Sequence, residues 1–302
     1  MSYGAVHRLL PQGDAVYRTL QAVGDAWSWL ILRDVLLYDA GRFSDLQRRT
    51  GAARATLVAR LQQLVDSGLL EHRDGRYLPT ASGHDFLACL LCAGRWGAAW
   101  YPSGEDPSPP IHLTCGAPVA AILRCSACGQ VVEAREVTWS AHVALESPAA
   151  ASRQRAPRRE LLERGGPSPL ARALAVIGDW WTSLVIREAF YGTRRFQDFE
   201  CRIGAAPNIL AARLSHLVDE GVLERLPNRE RPIRHGYRLT AKGLDLYHVP
   251  LAMMAWGDRW AARSPASVTL THSRCGKPLR PQLSCGVCGE EVTPTTLRVA
   301  SG

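Results

Sequence analysis

Residues 24–38 read GDAWSWLILRDVLLY, and residues 178–191 read GDWWTSLVIREAFY. In both, a Gly-Asp pair opens a strongly apolar run, the arrangement in which an aspartate side chain caps the first turn of a core helix. The likeness reaches well beyond these runs. At an offset of 154, Gly24, Asp25 and Trp27 meet Gly178, Asp179 and Trp181. One residue is then dropped, and at 153 Phe43, Gly51, Leu61, Asp66 and Gly68 meet Phe196, Gly204, Leu214, Asp219 and Gly221. Seven residues enter the second copy between Glu224 and Tyr237, after which an offset of 160 pairs Tyr77 with Tyr237, Thr80 with Thr240 and Trp96 with Trp256. The 302 residues are therefore a duplication, with enough apolar content (46%) for two cores.

Within each copy the core helix leads to a short amphipathic turn of helix, FSDLQRRTG or FQDFECRIG, and then to ARATLVARLQQLVDSG or APNILAARLSHLVDEG. The pattern is helix, turn, helix. Leu57, Leu61, Leu64 and Val65, and their counterparts Leu210, Leu214, Leu217 and Val218, fall on one face at helical spacing and are expected to pack inward. The opposite face carries Ala55, Ala59, Gln62 and Gln63 in one copy and Asn208, Ala212, Ser215 and His216 in the other. Small and polar side chains of this kind let a helix approach base edges in a major groove. Arg54, Arg60 and Arg213 are expected to flank that face and reach phosphates.

Past Gly68 and Gly221, two short extended runs joined by turn residues read as a hairpin, the wing. The first wing offers only Arg73 and Arg76; the second adds Arg229, Arg231, Arg234 and His235, a cluster suited to a phosphate backbone or a minor groove. Thr80 and Thr240 then cap a further helix whose tryptophans, Trp96 and Trp100 or Trp256 and Trp260, recur four residues apart, as core or dimer packing would require. A small-molecule effector pocket lined by these residues with Trp27, Trp180 and Trp181 is the alternative use of so many rings.

The run VIGDWWTSLVIREAFYGTRRFQDF, followed by RLSHLVDEGVLER and YRLTAKG, resembles the HxlR-type winged helix-turn-helix regulators over about residues 167–262 and, more loosely, over 13–101. The resemblance implies transcriptional control through operator DNA, by proteins that usually act as homodimers; here one chain would supply both halves as a pseudo-dimer. Thiol-sensing members carry a cysteine just before the first helix, but this chain has Asp14 and Ser168 near those positions, so the family's thiol switch is not expected.

A second motif follows each winged helix: His112, Cys115, Cys125 and Cys128 in one copy, His272, Cys275, Cys285 and Cys288 in the other. The spacing is H-x2-C-x9-C-x2-C, and glycine follows Cys115, Cys275 and each CxxC pair, allowing the tight turns that bring two ligands to one metal. Three thiolates and an imidazole favour tetrahedral zinc, two ions per chain, one for each copy's motif; a reduced or disulfide-bonded hairpin is the metal-free alternative. Cys89 and Cys92 also form a CxxC, but their counterparts Val249 and Ala252 mark them as core residues.

The expected architecture is mainly α with small β: winged helices at 13–101 and 167–263, zinc-ribbon-like modules at 108–139 and 267–299, and a linker at 140–166 rich in Ala, Ser, Pro and Arg. Formal net charge is +8, carried almost wholly by arginine, which suits a polyanionic partner such as double-stranded DNA. No signal-like N-terminus or membrane-length apolar run is read, so a cytoplasmic location is expected, with reduced thiols. The operator is expected to be an imperfect repeat, since the two reading faces differ, and a further homo-oligomer is possible in principle. A redox- or ligand-responsive module in which only the second winged helix binds DNA is the alternative. An enzyme is not expected, because neither CxxC pair sits in the βαβ context of a thiol oxidoreductase.

Overall fold

The computed structural model of the protein describes residues 14–102, 109–141, 157–227, 236–261 and 268–299. Its first copy runs α1 (Ala15–Val23), α2 (Ala26–Tyr38), α3 (Phe43–Thr50), α4 (Arg54–Asp66), β1 (Leu70–Arg73), β2 (Arg76–Pro79), α5 (Ala81–Asp85) and α6 (Leu87–Trp100). Three strands follow: β3 (Ile111–His112), β4 (Ala121–Cys125) and β5 (Val137–Ala141). After the short α7 (Arg159–Leu162), the second copy repeats the order as α8 (Pro169–Ile177), α9 (Trp180–Phe190), α10 (Phe196–Ile203), α11 (Pro207–Asp219), β6 (Leu223–Leu226), β7 (Gly236–Leu239), α12 (Ala241–Asp245) and α13 (His248–Trp260). It ends in β8 (Val268–His272), β9 (Lys277–Pro278), β10 (Pro281–Cys285) and β11 (Leu297–Arg298).

The caps read from the sequence form. Asp25 accepts from the Trp27 and Ser28 amides and Asp179 from those of Trp181 and Thr182, so the first donors of α2 and α9 are satisfied. Thr80 and Thr240 cap α5 and α12 through the Gly83 and Gly243 amides. Leu57, Leu61 and Leu64 on α4, and Leu210, Leu214 and Leu217 on α11, are fully buried against the core helix of their own copy. The first wing is a tight hairpin whose turn residues, Asp74 and Gly75, both have positive φ, as a two-residue turn matching strand twist requires.

The two copies face each other across a pseudo-two-fold axis. Asp25 and Asp179 pair in a short antiparallel bridge, and the Ala26 amide donates to the Gly178 carbonyl at 3.1 Å. Helix α1 of the first copy lies along α13 of the second, and α8 of the second lies along α6 of the first. Gly97 and Gly257 permit this closeness: a Cβ at either would collide with a backbone oxygen of the crossing helix, that of Pro169 or of Ala15. The tryptophans expected in packing are reciprocal ties. Trp96 Nε1 donates to the Lys242 carbonyl (3.0 Å) and Trp256 Nε1 to that of Ser82 (2.8 Å), while Trp100 and Trp260 reach the carboxylates of Asp245 and Asp85.

The strands after the winged helices exchange between copies. β4 pairs antiparallel with β10, with Leu123 opposite Leu283 at the centre, β3 pairs with β11, and β5 pairs with β8. Apart from the short β8–β9 pairing within the second copy, each Cys/His-rich region therefore finds its sheet partners in the other copy. β4 packs on both α6 and α13 and β10 packs on α13, so the strands of the two copies meet at one place, where their edges satisfy one another.

Candidate nucleic-acid interface and metal centres

Helices α4 and α11 present equivalent outward faces. Arg54, Ala55, Val58, Ala59 and Gln62 are exposed on the first; Asn208, Ala211 and Ala212 are exposed on the second, with Ser215 half-buried beside them. Of the residues read from the sequence as the DNA-facing set, Arg54, Ala55, Ala59, Asn208 and Ala212 point outward. Arg54 lies over the Phe43 ring, its guanidinium carbon 5.1 Å from the centroid.

Four of that set lie elsewhere. Arg213 is buried, and its Nε donates to Asp179 Oδ1 at 3.0 Å; Arg60 Nε sits 2.8 Å from Asp25 Oδ2. These arginines do not reach outward to phosphates, because the N-cap carboxylates at the centre of the molecule are buried or nearly so and need a cation to offset their desolvation. Gln63 donates to the Ala22 carbonyl at 3.2 Å and His216 Nε2 lies 3.3 Å from that of Val176, so both half-buried side chains tie the reading helix to the helix before the cap. In the first wing, Arg76 is pinned by Asp39 (3.0 Å). Arg229, Arg231, Arg234 and His235 of the second wing fall outside the described residues.

Other surface residues at these faces were passed over in the sequence. Val58 is 51% exposed, and Ala211 is its counterpart. A 100° wheel places position 58 beside 55 and 62, so the signal was present but the apolar side chain argued for the core. Arg42 and Arg195, equivalent at offset 153, are exposed immediately before α3 and α10.

The eight Cys and His residues read as ligands form two clusters, but not the two that the repeat suggests. His112 and Cys115 of the first copy gather with Cys285 and Cys288 of the second, and Cys125 and Cys128 with His272 and Cys275. The motif is thus not closed within a copy. The reason is the strand exchange: β4 and β10 run side by side, so each CxxC turn faces the HxxC turn of the other copy. In the first cluster His112 Nδ1 lies 3.5 Å from Cys115 Sγ and 3.3 Å from Cys288 Sγ, with Cys115 and Cys285 4.0 Å apart. In the second, His272 Nδ1 lies 3.4 Å from Cys128 Sγ and 3.6 Å from Cys275 Sγ, and Cys125 and Cys275 are 4.0 Å apart. Tetrahedral zinc bonds would set edges of roughly 3.8 Å between sulfurs and about 3.5 Å from nitrogen to sulfur. Both donor sets therefore can hold a metal ion.

Local structure shapes each half-site. The glycine after each knuckle, at 116, 129, 276 and 289, has φ between 67° and 83°. The Cys275 thiol is pulled down to about 7, first by the Lys277 amide and then by His272, which favours the thiolate a metal needs. The other ring nitrogens have different surroundings: His112 Nε2 lies within hydrogen-bond distance of the Glu291 carbonyl (3.3 Å), whereas His272 Nε2 is 3.7 Å from the Glu136 carboxylate, beyond hydrogen-bond distance. Cys89 and Cys92 are buried in the core as expected, with burial pushing the Cys92 thiol up to about 12.

A family model described as HxlR-like helix-turn-helix matches residues 22–105 and 176–265. The chain belongs to that family. An uncharacterized HTH-type transcriptional regulator of Mycobacterium tuberculosis is 39% identical over 135 residues, 44% of this chain and 85% of the relative. The HTH-type transcriptional regulator YodB of Bacillus subtilis is 33% identical over 89 residues, 29% of this chain and 80% of that protein. A solved structure from Pseudomonas aeruginosa, described provisionally as a transcription factor, shares 40% identity over 43% of this chain and 90% of its own, with a TM-score of 0.34. Among the described residues no helix is long and apolar enough to cross a membrane.

Proposed function

We propose that the protein is a cytoplasmic, sequence-specific double-stranded DNA-binding transcriptional regulator whose two copies play the part of two subunits. The observation that carries this reading is the pair of outward faces on α4 and α11, related by the axis through Asp25 and Asp179. Alanines at 55, 59, 211 and 212 let backbone approach the groove, Gln62 and Asn208 offer amides for base edges, and the Val58 methyls suit a thymine methyl. Arg42, Arg54 and Arg195 supply phosphate contacts, joined by Arg229, Arg231 and Arg234 of the second wing. Because the faces differ, the operator is an imperfect repeat with half-sites about one helical turn apart.

Each three-cysteine, one-histidine cluster takes one zinc ion. A full ligand set leaves no open coordination position, so the ions are structural, and each one fastens one copy to the other. The winged helices span about 13–101 and 167–263, and the regions 108–139 and 267–299 form one joint ribbon unit rather than two modules.

Substitutions Ala59→Glu and Ala212→Glu test the reading, since both sites are exposed and a carboxylate there repels phosphates. Each variant is expected to lose at least tenfold in affinity for an operator selected from random sequence, at a salt concentration where nonspecific binding is weak. If neither weakens binding, the reading fails. A second reading, in which only the second copy touches DNA, is favoured by the short Asp74–Gly75 wing turn and by the pinning of Arg76. Loss in Ala212→Glu alone would select it.

A further inference from the structure

The pseudo-symmetry is broken at one pair of matching cavities. In the first, Arg33, Leu90, Leu91, Gly94, Pro110 and Leu170 line a space of about 210 Å³ between α2, α6 and the start of α8. Their counterparts Arg187, Pro250, Leu251, Met254, Leu270 and Val16 line a space of about 30 Å³ on the other side. Two side chains fill the latter. Met254 stands where the first copy has Gly94, and Trp139 from β5 packs at a tilt against Tyr191 with ring centroids 4.8 Å apart, whereas the residue equivalent to Trp139 is Val299.

Charge is broken at the same place. Beside the filled cavity, Arg187 is held by Asp14 (3.1 Å) and Glu188 (2.8 Å), Arg202 faces Glu188 and Arg18 faces Asp258, so the charges there balance. Beside the open cavity, Arg33 and Arg49 share Asp34, and Ser168 stands in the place of Asp14. Arg33 holds Asp34 through Nε (2.9 Å) and Nη2 (2.8 Å), while its Nη1 donates to the Ser168 hydroxyl at 2.9 Å, where Arg187 Nη1 of the second copy meets the Asp14 carboxylate. Arg95, also on the wall, is neutralised by Asp245. Arg33 and Arg49 therefore meet one carboxylate, Asp34, where their counterparts Arg187 and Arg202 meet two, Asp14 and Glu188, and the wall of the open cavity is otherwise mostly apolar. Burying surplus positive charge costs stability, and an anion seated among those arginines would offset that cost.

We propose that this cavity is a binding site for an amphipathic monocarboxylate, with a flat apolar body against Leu90, Leu91 and Leu170 and its carboxylate on Arg33 and the Ser168 hydroxyl. An occupant touches α6 of one copy and α8 of the other, so it bears on the packing of the pseudo-dimer. Any effect on an operator rests on the DNA-binding reading, whereas occupancy of the site does not.

The test is calorimetric titration of the full-length protein, without DNA, with 2-naphthoate and with the neutral isostere 2-naphthamide. Saturable binding of one naphthoate per chain, at least tenfold tighter than the amide, is expected. Gly94→Met, which imports the second copy's residue at a position where a Cβ meets no atom within 4 Å, should abolish binding of both while circular dichroism stays unchanged. Ser168→Asp, which keeps the helix cap and restores the second copy's charge, should cost naphthoate at least tenfold and leave the amide unaffected. No naphthoate binding, binding undiminished in Gly94→Met, or equal affinity for acid and amide would each overturn the proposal. Operator binding lost or kept does not enter these outcomes, so failure of the site and failure of the DNA reading are told apart.

Discussion

The winged helices and the Cys/His regions were duplicated together, yet they close differently. In a winged helix, the leucines of α4 or α11 are buried against the core helix of their own copy, and Arg60 or Arg213 meets that copy's own cap aspartate. In the Cys/His regions the β3–β11, β4–β10 and β5–β8 pairings and both Cys/His clusters join one copy to the other, with only the short β8–β9 pairing and isolated bridges closing within a copy. Contacts short in sequence close around a local apolar stripe at low loop-closure cost, while the small strands, with little core of their own, take their partners across the axis. A repeated motif therefore states which residues act together without stating which copies supply them.

Metal stoichiometry is the sharpest way to break that comparison. Cys115→Ser combined with Cys288→Ser removes two ligands from one exchanged cluster and should leave about one zinc ion per chain by elemental analysis. Cys115→Ser with Cys128→Ser damages both clusters and should leave close to none. Closure within a copy requires the reverse order of the two results.

The self-contained half of the comparison is tested by the cap pairs. Arg213→Ala uncovers a buried carboxylate, 4% exposed, and is expected to cost about 3–5 kcal/mol of unfolding free energy in denaturant titration. Arg60→Ala, at a pair where both side chains are 19% exposed, should cost less, about 1 kcal/mol. Equal losses would mean that the two cap pairs are not distinguished by burial.

A smaller effect concerns the contact between the halves. His248 of α13 accepts from the Leu123 amide of the other copy's ribbon (3.0 Å) and faces the Val132 carbonyl at 3.1 Å, where the first copy has Ala88. Burial, with Arg95 nearby, pulls its pKa down to about 4. The unfolded chain then binds the extra proton between pH 6.5 and 4, so this stabilisation is complete above pH 6.5 and lost as pH falls toward 4. Its size is about 3 kcal/mol at most, and His248→Gln should flatten that part of the stability profile relative to the native protein. An unchanged profile would show that the imidazole is solvated.

Much of the architecture was legible without coordinates. The caps at Asp25, Asp179, Thr80 and Thr240, the buried leucines, the hairpin wing and the HxxC and CxxC pairs that gather in the two clusters follow from spacing, because each depends on neighbours within a few turns of chain. The inward turn of Arg60, Arg213, Gln63 and His216 was not legible, since a helical wheel gives direction but not the identity of what lies there.

The sequence by itself determined that the chain holds two copies of one unit and which Cys and His residues could bind metal. Tertiary structure alone decided that the ligand sets are exchanged and that only one of two matching cavities is open. Both are outcomes of packing across the axis: identical local motifs have equal local energies, so the choice between partners falls to strand pairing, and the choice between an open and a filled cavity falls to single side chains, Gly94 against Met254 and Val299 against Trp139.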